Sequence, residues 1–145
     1  MSDGEFSFKL RVYIEDTDAG GIVYYVNYLK FMERARTEFM RSLGYGKDFI
    51  FNHDLMFVVR DVGVKYLAPA RLDDELVATA RVRRLGGASM VLEQQVRRGE
   101  EILARGEITI ACVDRGGVKP QRIPGIMLAT LRAMGQQAEQ SIRGI

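Results

Sequence analysis

One cysteine, one histidine and three prolines are spread over 145 residues, and tryptophan is absent. Each scarcity closes off a class of protein. The lone thiol, Cys112, excludes an internal disulfide framework and a multi-cysteine zinc site. It lies in the apolar run ITIACV, where a thiol behaves as a small buried hydrophobe. The single histidine, His53, sits in the loop-like segment FNHDL. It leaves a metal short of nitrogen ligands, and with no GxSxG segment present it has no serine to activate. An excess of one charge is also missing: 21 Lys and Arg stand against 19 Asp and Glu, a net charge of +2. That balance gives no basic face of the kind nucleic acid needs, yet a few local arginines suffice for a small anion. No apolar run approaches the ~20 residues of a membrane span. The start, MSDGEFSFKL, is acidic where a secretory signal needs basic residues and an apolar stretch. The expectation is a soluble cytoplasmic protein with no metal, no nucleic-acid partner and no membrane insertion. A single domain over residues 1–145 is expected, with a polar tail from about 135.

What the chain does have is clear periodicity. In FSFKLRVYIE, residues 6–15, Phe6, Phe8, Leu10, Val12 and Ile14 alternate with polar neighbours, which predicts a half-buried strand. Asp16 to Gly21 breaks that pattern with two acids and a glycine pair. From about Tyr24 the period becomes helical. Tyr28, Met32, Ala35, Phe39 and Leu43 form the apolar stripe, and Gly44 is a plausible stop. Residues 45–55 read as an irregular connection. Strand patterns follow over 56–67, 75–85, 88–98 and 102–113, divided by Pro69, Gly86-Gly87 and Gly99, with Gly116-Gly117 after the last. The last three of these breaks are short, so the strands they join are expected to pair as antiparallel neighbours, and the second half of the chain reads as a meander. A short helix is expected over 126–134 after Pro124, followed by a frayed tail, QQAEQSIRGI. A single long helix needs one large apolar surface. The predicted fold class is α+β, a curved antiparallel sheet wrapped around that helix.

The unusual residues gather where the first strand meets the helix. One reading makes Asp16 or Asp18 a helix cap and the glycines a turn. The other starts from what a helix N-terminus offers: unpaired backbone N–H groups and a partial positive charge. Glycines there let a ligand approach the backbone closely. Such a place can bind a carbonyl oxygen as it becomes an oxyanion, and a carboxylate beside it can attack the carbonyl or activate water. These are the parts needed for acyl transfer, from an ester or a thioester alike.

The segment RVYIEDTDAGGIVYYVNYLKFMERARTEFMRSLGY resembles the start of the 4-hydroxybenzoyl-CoA thioesterase family of hotdog-fold proteins, above all its branch of Tol-Pal-associated acyl-CoA thioesterases. The shared pattern is Asp16, Thr17, Asp18, then Gly21, Ile22, Val23, Tyr24, Asn27 and Tyr28. Two later segments, VVRDVGVKYLAPARLDDELVATARV and ITIACVDRGGVKPQRIP, extend the resemblance over about residues 6–125. It implies the hotdog fold and hydrolysis of an acyl-CoA to free acid and coenzyme A, with no cofactor beyond the coenzyme A of the substrate. Asp18 matches the family's catalytic carboxylate, as nucleophile or general base. The backbone N–H of Tyr25 matches its carbonyl-polarising donor. Gly21, Ile22, Val23, Tyr24, Asn27 and Tyr28 are implied to line the substrate. The Tol-Pal branch usually carries histidine where this chain has Tyr25, so a backbone donor is kept and an imidazole is lost. The resemblance also implies a homodimer or homotetramer built edge to edge, with acyl carrier protein as a further partner. The alternative of a different class is a non-catalytic hotdog module that binds acyl-CoA or acyl carrier protein. Retention of Asp18 with its glycines favours the hydrolase.

Arg81, Arg83, Arg84, Arg97 and Arg98 flank the Gly86-Gly87 turn. Arginine forks suit phosphate, which makes Arg83, Arg84 and Arg97 candidates for the coenzyme A phosphates. A solvated sheet rim is the plainer reading. The helix segment ERARTE reads as a solvated face with local ion pairs. Pro69 and Asp73-Asp74 in APARLDDEL read as turn chemistry.

Overall fold

The computed structural model describes residues 4–117 and 119–143, with side chains of the last helix described through residue 134. Five strands form one antiparallel sheet: β1 (Phe6–Arg11), β2 (Leu55–Tyr66), β3 (Glu75–Leu85), β4 (Ser89–Arg98) and β5 (Glu101–Asp114). Their order across the sheet is β1-β3-β4-β5-β2. Helix α1 (Val26–Ser42) packs on β3, β1 and β4. Helices α2 (Lys47–Asn52) and α3 (Gly125–Arg143) complete the chain. The expected architecture, a sheet curled about one long helix, is the one observed.

Period-two burial makes the inner face. Leu76, Ala78 and Ala80 of β3, Met90, Leu92 and Val96 of β4, and Ile108, Ile110 and Cys112 of β5 are all buried. Phe31, Met32, Ala35 and Phe39 of α1 meet them. Register irregularities between Val59 and Asp61, Val82 and Arg84, and Val96 and Arg97 interrupt three strand pairs. Such bulges bend a strand and increase its twist, which curls the sheet. Gln94 is a polar residue in this apolar layer and is fully buried. Its amide nitrogen donates to the carbonyls of Met32 on α1, at 2.8 Å, and Thr79 on β3, at 3.0 Å. Its oxygen accepts from the Arg36 guanidinium at 3.0 Å. Helix and sheet are thus tied by direction as well as by area.

Four expectations are corrected. The first strand stops at Arg11 rather than residue 15. The Asp16 carboxylate accepts the Tyr13 N–H at 2.9 Å and pulls Ile14–Asp16 into a single 3-10 turn, leaving Ile14 exposed; a short acidic side chain competes with the ladder for backbone donors. Residues 47–52 are helical rather than irregular, with Phe49 and Ile50 packed against the core. The meander holds for β3, β4 and β5 only, because β2 lies at the far edge beside β5. The segment 67–74 therefore crosses the end of the sheet, and Leu67 and Ala68 donate to the Leu103 carbonyl at 2.8 and 3.2 Å. The last helix runs to Arg143, through most of the segment expected to fray. Gln, Ala and Glu there are good helix formers. The final two residues of that segment lie outside the described residues. Among the described residues, no helix is long and apolar enough to cross a membrane.

Replacing Gln94 by Leu strands the Thr79 carbonyl and removes the Arg36 acceptor. An unsatisfied buried polar group costs about 1–3 kcal/mol, so Gln94→Leu is expected to lose stability by that amount in urea unfolding.

Candidate active site

Between β1 and α1 the backbone makes two tight structures in succession. The 3-10 turn ends at Thr17, which pairs with Val23 in an isolated antiparallel bridge. Between them the chain reverses. The Asp18 N–H donates to the Ile22 carbonyl at 3.0 Å, and the Gly21 N–H to the Asp18 carbonyl at 3.0 Å. Gly21 has φ +76°, a left-handed conformation open to glycine and strained for other residues. Asp18 is exposed at the start of this turn. Its Oδ1 accepts the Gly20 N–H at 2.9 Å and the Ile22 N–H at 3.4 Å. Its Oδ2 has no hydrogen-bond partner among the described residues, so one carboxylate oxygen is anchored and the other is open.

Helix α1 starts at Tyr25, its N-cap, with φ −56° and ψ −32° and no side-chain cap. The capping alternative for Asp16 or Asp18 is thereby corrected: neither carboxylate meets a backbone N–H of α1. The Tyr25 N–H, at the positive end of a 17-residue helix, has no acceptor among the described residues. The Val26 N–H likewise has no acceptor among the described residues, whereas further in Asn27 donates to the Tyr24 carbonyl at 2.8 Å and Tyr28 to the Tyr25 carbonyl at 3.2 Å.

The crossing segment 67–74 builds the opposite wall. The Val23 N–H donates to the Ala70 carbonyl at 2.9 Å, and the Leu72 N–H to the Gly21 carbonyl at 2.9 Å. The buried Tyr28 hydroxyl accepts the Ala70 N–H at 2.9 Å. An open groove of about 310 Å³ lies between, lined by Val23, Tyr25, Tyr28, Tyr66, Leu67 and Pro69 among others. Tyr66 packs edge-on against Tyr25 and Tyr28 at ring separations of 5.9 and 5.5 Å. Burial raises the Tyr28 and Tyr66 phenol pKa values, so both hydroxyls stay protonated. The segment is latched by Asp74, whose Oδ2 accepts from the Arg71 N–H at 2.8 Å and from Arg98 at 2.7 Å. Burial works against the Asp74 charge, but those two donors outweigh it and hold the carboxyl below the usual range.

Of the residues singled out from sequence, Gly21, Ile22, Val23, Tyr24, Tyr25 and Tyr28 gather at this turn, helix start and groove. Tyr24 is exposed, its ring tilted against that of Tyr25 at 5.0 Å. Asn27 is 8% exposed, with its side-chain amide donating to Asp16 at 2.9 Å. The three arginines do not converge. Arg84 faces Val91 near the Gly86 turn, whereas Arg97 faces Val77 at the other end of the hairpin. Arg97 and Arg98 therefore flank the Gly99 turn, not the Gly86-Gly87 turn. Arg83 is held by Glu93 and Glu107 at 3.1 and 3.3 Å, and Arg97 by Glu5 at 2.8 Å. Arg84 alone of the three has no ion pair among the described residues. His53 is exposed, stacked on Phe49 at 3.9 Å, away from the turn. Cys112 is buried, and burial pushes its thiol pKa up. No group of three or more potential metal ligands occurs among the described residues. Tyr66 and the Asp74–Arg98 latch were not foreseen. The segment APARLDDEL signalled a turn, but only the crossing topology brings it to the helix start.

Comparison with known proteins gives this architecture its class. Residues 20–104 match the family described as the thioesterase superfamily, and the chain belongs to it. An acyl-CoA thioesterase, YbgC, from Haemophilus influenzae is 42% identical over 125 residues, 86% of this chain and 92% of that protein. The acyl-CoA thioester hydrolase YbgC of Escherichia coli O157:H7 is 39% identical over 133 residues, 91% of this chain and 99% of that one. Among solved structures, a probable thioesterase from Bartonella henselae has a TM-score of 0.79 at 37% identity, covering 83% of this chain and 99% of that chain. The 1,4-dihydroxy-2-naphthoyl-CoA thioesterase Slr0204 from Synechocystis shares the fold, with a TM-score of 0.79 at 20% identity over 88% of this chain and 96% of that one.

The Asp74 latch makes the crossing segment acid-sensitive. A carboxyl whose folded pKa is depressed stabilises above its unfolded pKa and loses that contribution as pH falls through the folded value. Unfolding midpoints are expected to drop below about pH 4, the ordinary range of aspartate. Asp74→Asn is expected to flatten that acid limb while lowering stability at neutral pH.

Proposed function

We propose that this protein is an acyl-CoA thioesterase, hydrolysing the thioester to a free carboxylic acid and coenzyme A. The observation that carries the reading is an open carboxylate oxygen on Asp18 in the same short segment as the acceptor-free N–H of Tyr25. The Tyr25 N–H polarises the carbonyl oxygen and holds the oxyanion, helped by the α1 dipole. Asp18 acts on the carbonyl carbon. As nucleophile it forms a mixed anhydride and releases the thiolate, and water then cleaves the anhydride. As general base it removes a proton from the water that attacks the thioester directly. Both routes give acid and thiol in equal amounts and use no cofactor beyond the substrate's own coenzyme A. The names of the YbgC relatives support the acyl-CoA substrate. The tyrosine-walled groove beside Tyr25 is the receiving surface next to the reacting carbonyl. Gly21, Ile22, Val23 and Tyr24 form its entrance, and Arg84 is the sequence-predicted arginine left free for a coenzyme A phosphate.

The same reading includes an edge-to-edge homodimer, with dimers pairing into tetramers. Support comes from β2, an edge strand whose Val59, Val62 and Tyr66 are 48, 42 and 44% exposed. An edge strand with apolar side chains is a template for pairing. Acyl carrier protein is a second source of thioester for the same chemistry. The cytoplasm is the proposed compartment, and the free thiol of Cys112 suits reducing conditions.

Thiol release across a panel of aliphatic and aromatic acyl-CoAs is the direct assay, and silence on every member would sink the reading. Asp18→Asn is expected to lose nearly all turnover while still binding acyl-CoA. Besides the ring, which Tyr25→Ala removes too, Tyr25→Pro deletes a donor that has no internal partner, and the native φ of −56° already suits proline. It is expected to cost 10²–10³-fold in kcat, about 2.7–4 kcal/mol, whereas Tyr25→Ala, which keeps the N–H, retains most activity. Light scattering is expected to give a dimer or tetramer mass, and introducing lysine at Val59 and Val62 is expected to shift it toward monomer.

A further inference from the structure

The motif carries two acids, and the reaction uses one. Asp16 is 6% exposed and Asn27 8% exposed. Asp16 nonetheless spends every polar atom. Its Oδ2 accepts the Tyr13 N–H at 2.9 Å, and its Oδ1 accepts the Asn27 side-chain amide at 2.9 Å. Its carbonyl accepts the Tyr24 N–H at 3.0 Å, and its own N–H donates to the Tyr13 carbonyl at 2.9 Å. One residue therefore ties the end of β1, the residue before Tyr25 and the first turn of α1.

Peptide planarity makes this consequential. The Tyr24 carbonyl and the Tyr25 N–H belong to one rigid peptide unit. The Asn27 N–H holds that carbonyl at 2.8 Å, and Asp16 holds the Tyr24 N–H on the other side. With both neighbours fixed, the direction of the Tyr25 N–H is fixed as well. Asp16 is also two positions before Asp18, and Thr17 between them is locked to Val23. The bond from Asp16 to Asn27 is a charge-assisted one in a buried setting, the stronger kind.

We propose that Asp16 and Asn27 are positioning residues: their buried side-chain bond holds the Tyr25 N–H and the Asp18 carboxylate in one rigid frame, and neither touches the substrate. This deepens the thioesterase reading and rests on it. The substrate-lining role implied for Asn27 is replaced by a role through the backbone.

The test is a reciprocal exchange assayed with the full chain and an acyl-CoA that it hydrolyses. Asn27→Asp sets two carboxylates face to face, and Asp16→Asn sets two amides face to face. Each single variant is expected to lower kcat on the order of 10²-fold, with KM changed less than about threefold, because misplacement affects the transition state more than binding. The double variant restores a donor opposite an acceptor and still offers an oxygen to the Tyr13 N–H. It is expected to recover kcat to within about tenfold of the parent. Folded fraction is taken from near-UV circular dichroism, and rates are expressed per folded molecule, so loss of fold does not imitate loss of positioning. Single variants with parental kcat, an effect confined to KM, or a double variant no faster than the slower single would each overturn the proposal. Asp18→Asn assayed alongside separates the two levels. If it stays active, the thioesterase site itself is misassigned; if it is inactive while the Asn27 variants are unimpaired, only the positioning role falls.

Discussion

A single buried hydrogen bond, from the Ala70 N–H to the Tyr28 hydroxyl at 2.9 Å, joins the start of α1 to the segment that carries the chain across the sheet. It acts with the bonds from Val23 to Ala70, from Leu72 to Gly21 and from Leu67 to Leu103, which hold the segment 67–74 against the turn and the sheet. Together they make the segment one wall of the groove and set Pro69 beside Tyr66 of β2. The bond to Tyr28 is also the reason a tyrosine stands here. Phenylalanine would fill the same space and leave the Ala70 N–H buried without an acceptor, a penalty of about 1–3 kcal/mol. Topology and site share this one contact, since β2 reaches the far edge only by way of the crossing.

The second organising feature is a selective use of donors. Around the turn, the N–H groups of Gly20 and Ile22 go to the Asp18 carboxylate, that of Tyr24 to the Asp16 carbonyl, and that of Val23 to Ala70. The Tyr25 N–H is left over at the end of the helix dipole. A donor without an internal partner is tolerable there because the position is exposed; in the interior it would be costly. The proposed chemistry at this site therefore depends on a local economy of hydrogen bonds. Unusual residues contribute less, which fits a protein with one histidine and one cysteine.

The arginines follow a different rule. Most of those on the hairpin are engaged with carboxylates: Arg81 and Arg83 with Glu93, Arg97 with Glu5, and Arg98 with Asp74 and Glu101. The exposed ones among them, Arg83 with Glu93 and Arg98 with Glu101, contribute little to stability. Arg98 differs in effect because its partner belongs to the crossing segment, so its ion pair fixes the wall of a groove.

The amino-acid order alone determined the strands, the long helix, the buried thiol and the candidate site at residues 16–28. These are local properties: alternation, a 3.6-residue stripe, and a glycine pair after acids. It did not determine where β2 sits in the sheet, because β2 and β3 are separated by a connection short enough for a hairpin and long enough for a crossing. It did not separate the two aspartates either. Asp16 and Asp18 are two positions apart and chemically identical, and only packing buries one against Asn27 and leaves the other open. Nor could it sort the arginines, whose partners lie up to 92 positions away, as Glu5 does from Arg97. Periodicity sets each element's own faces, whereas a charge, a donor or a strand edge gains its role from what the fold sets opposite it.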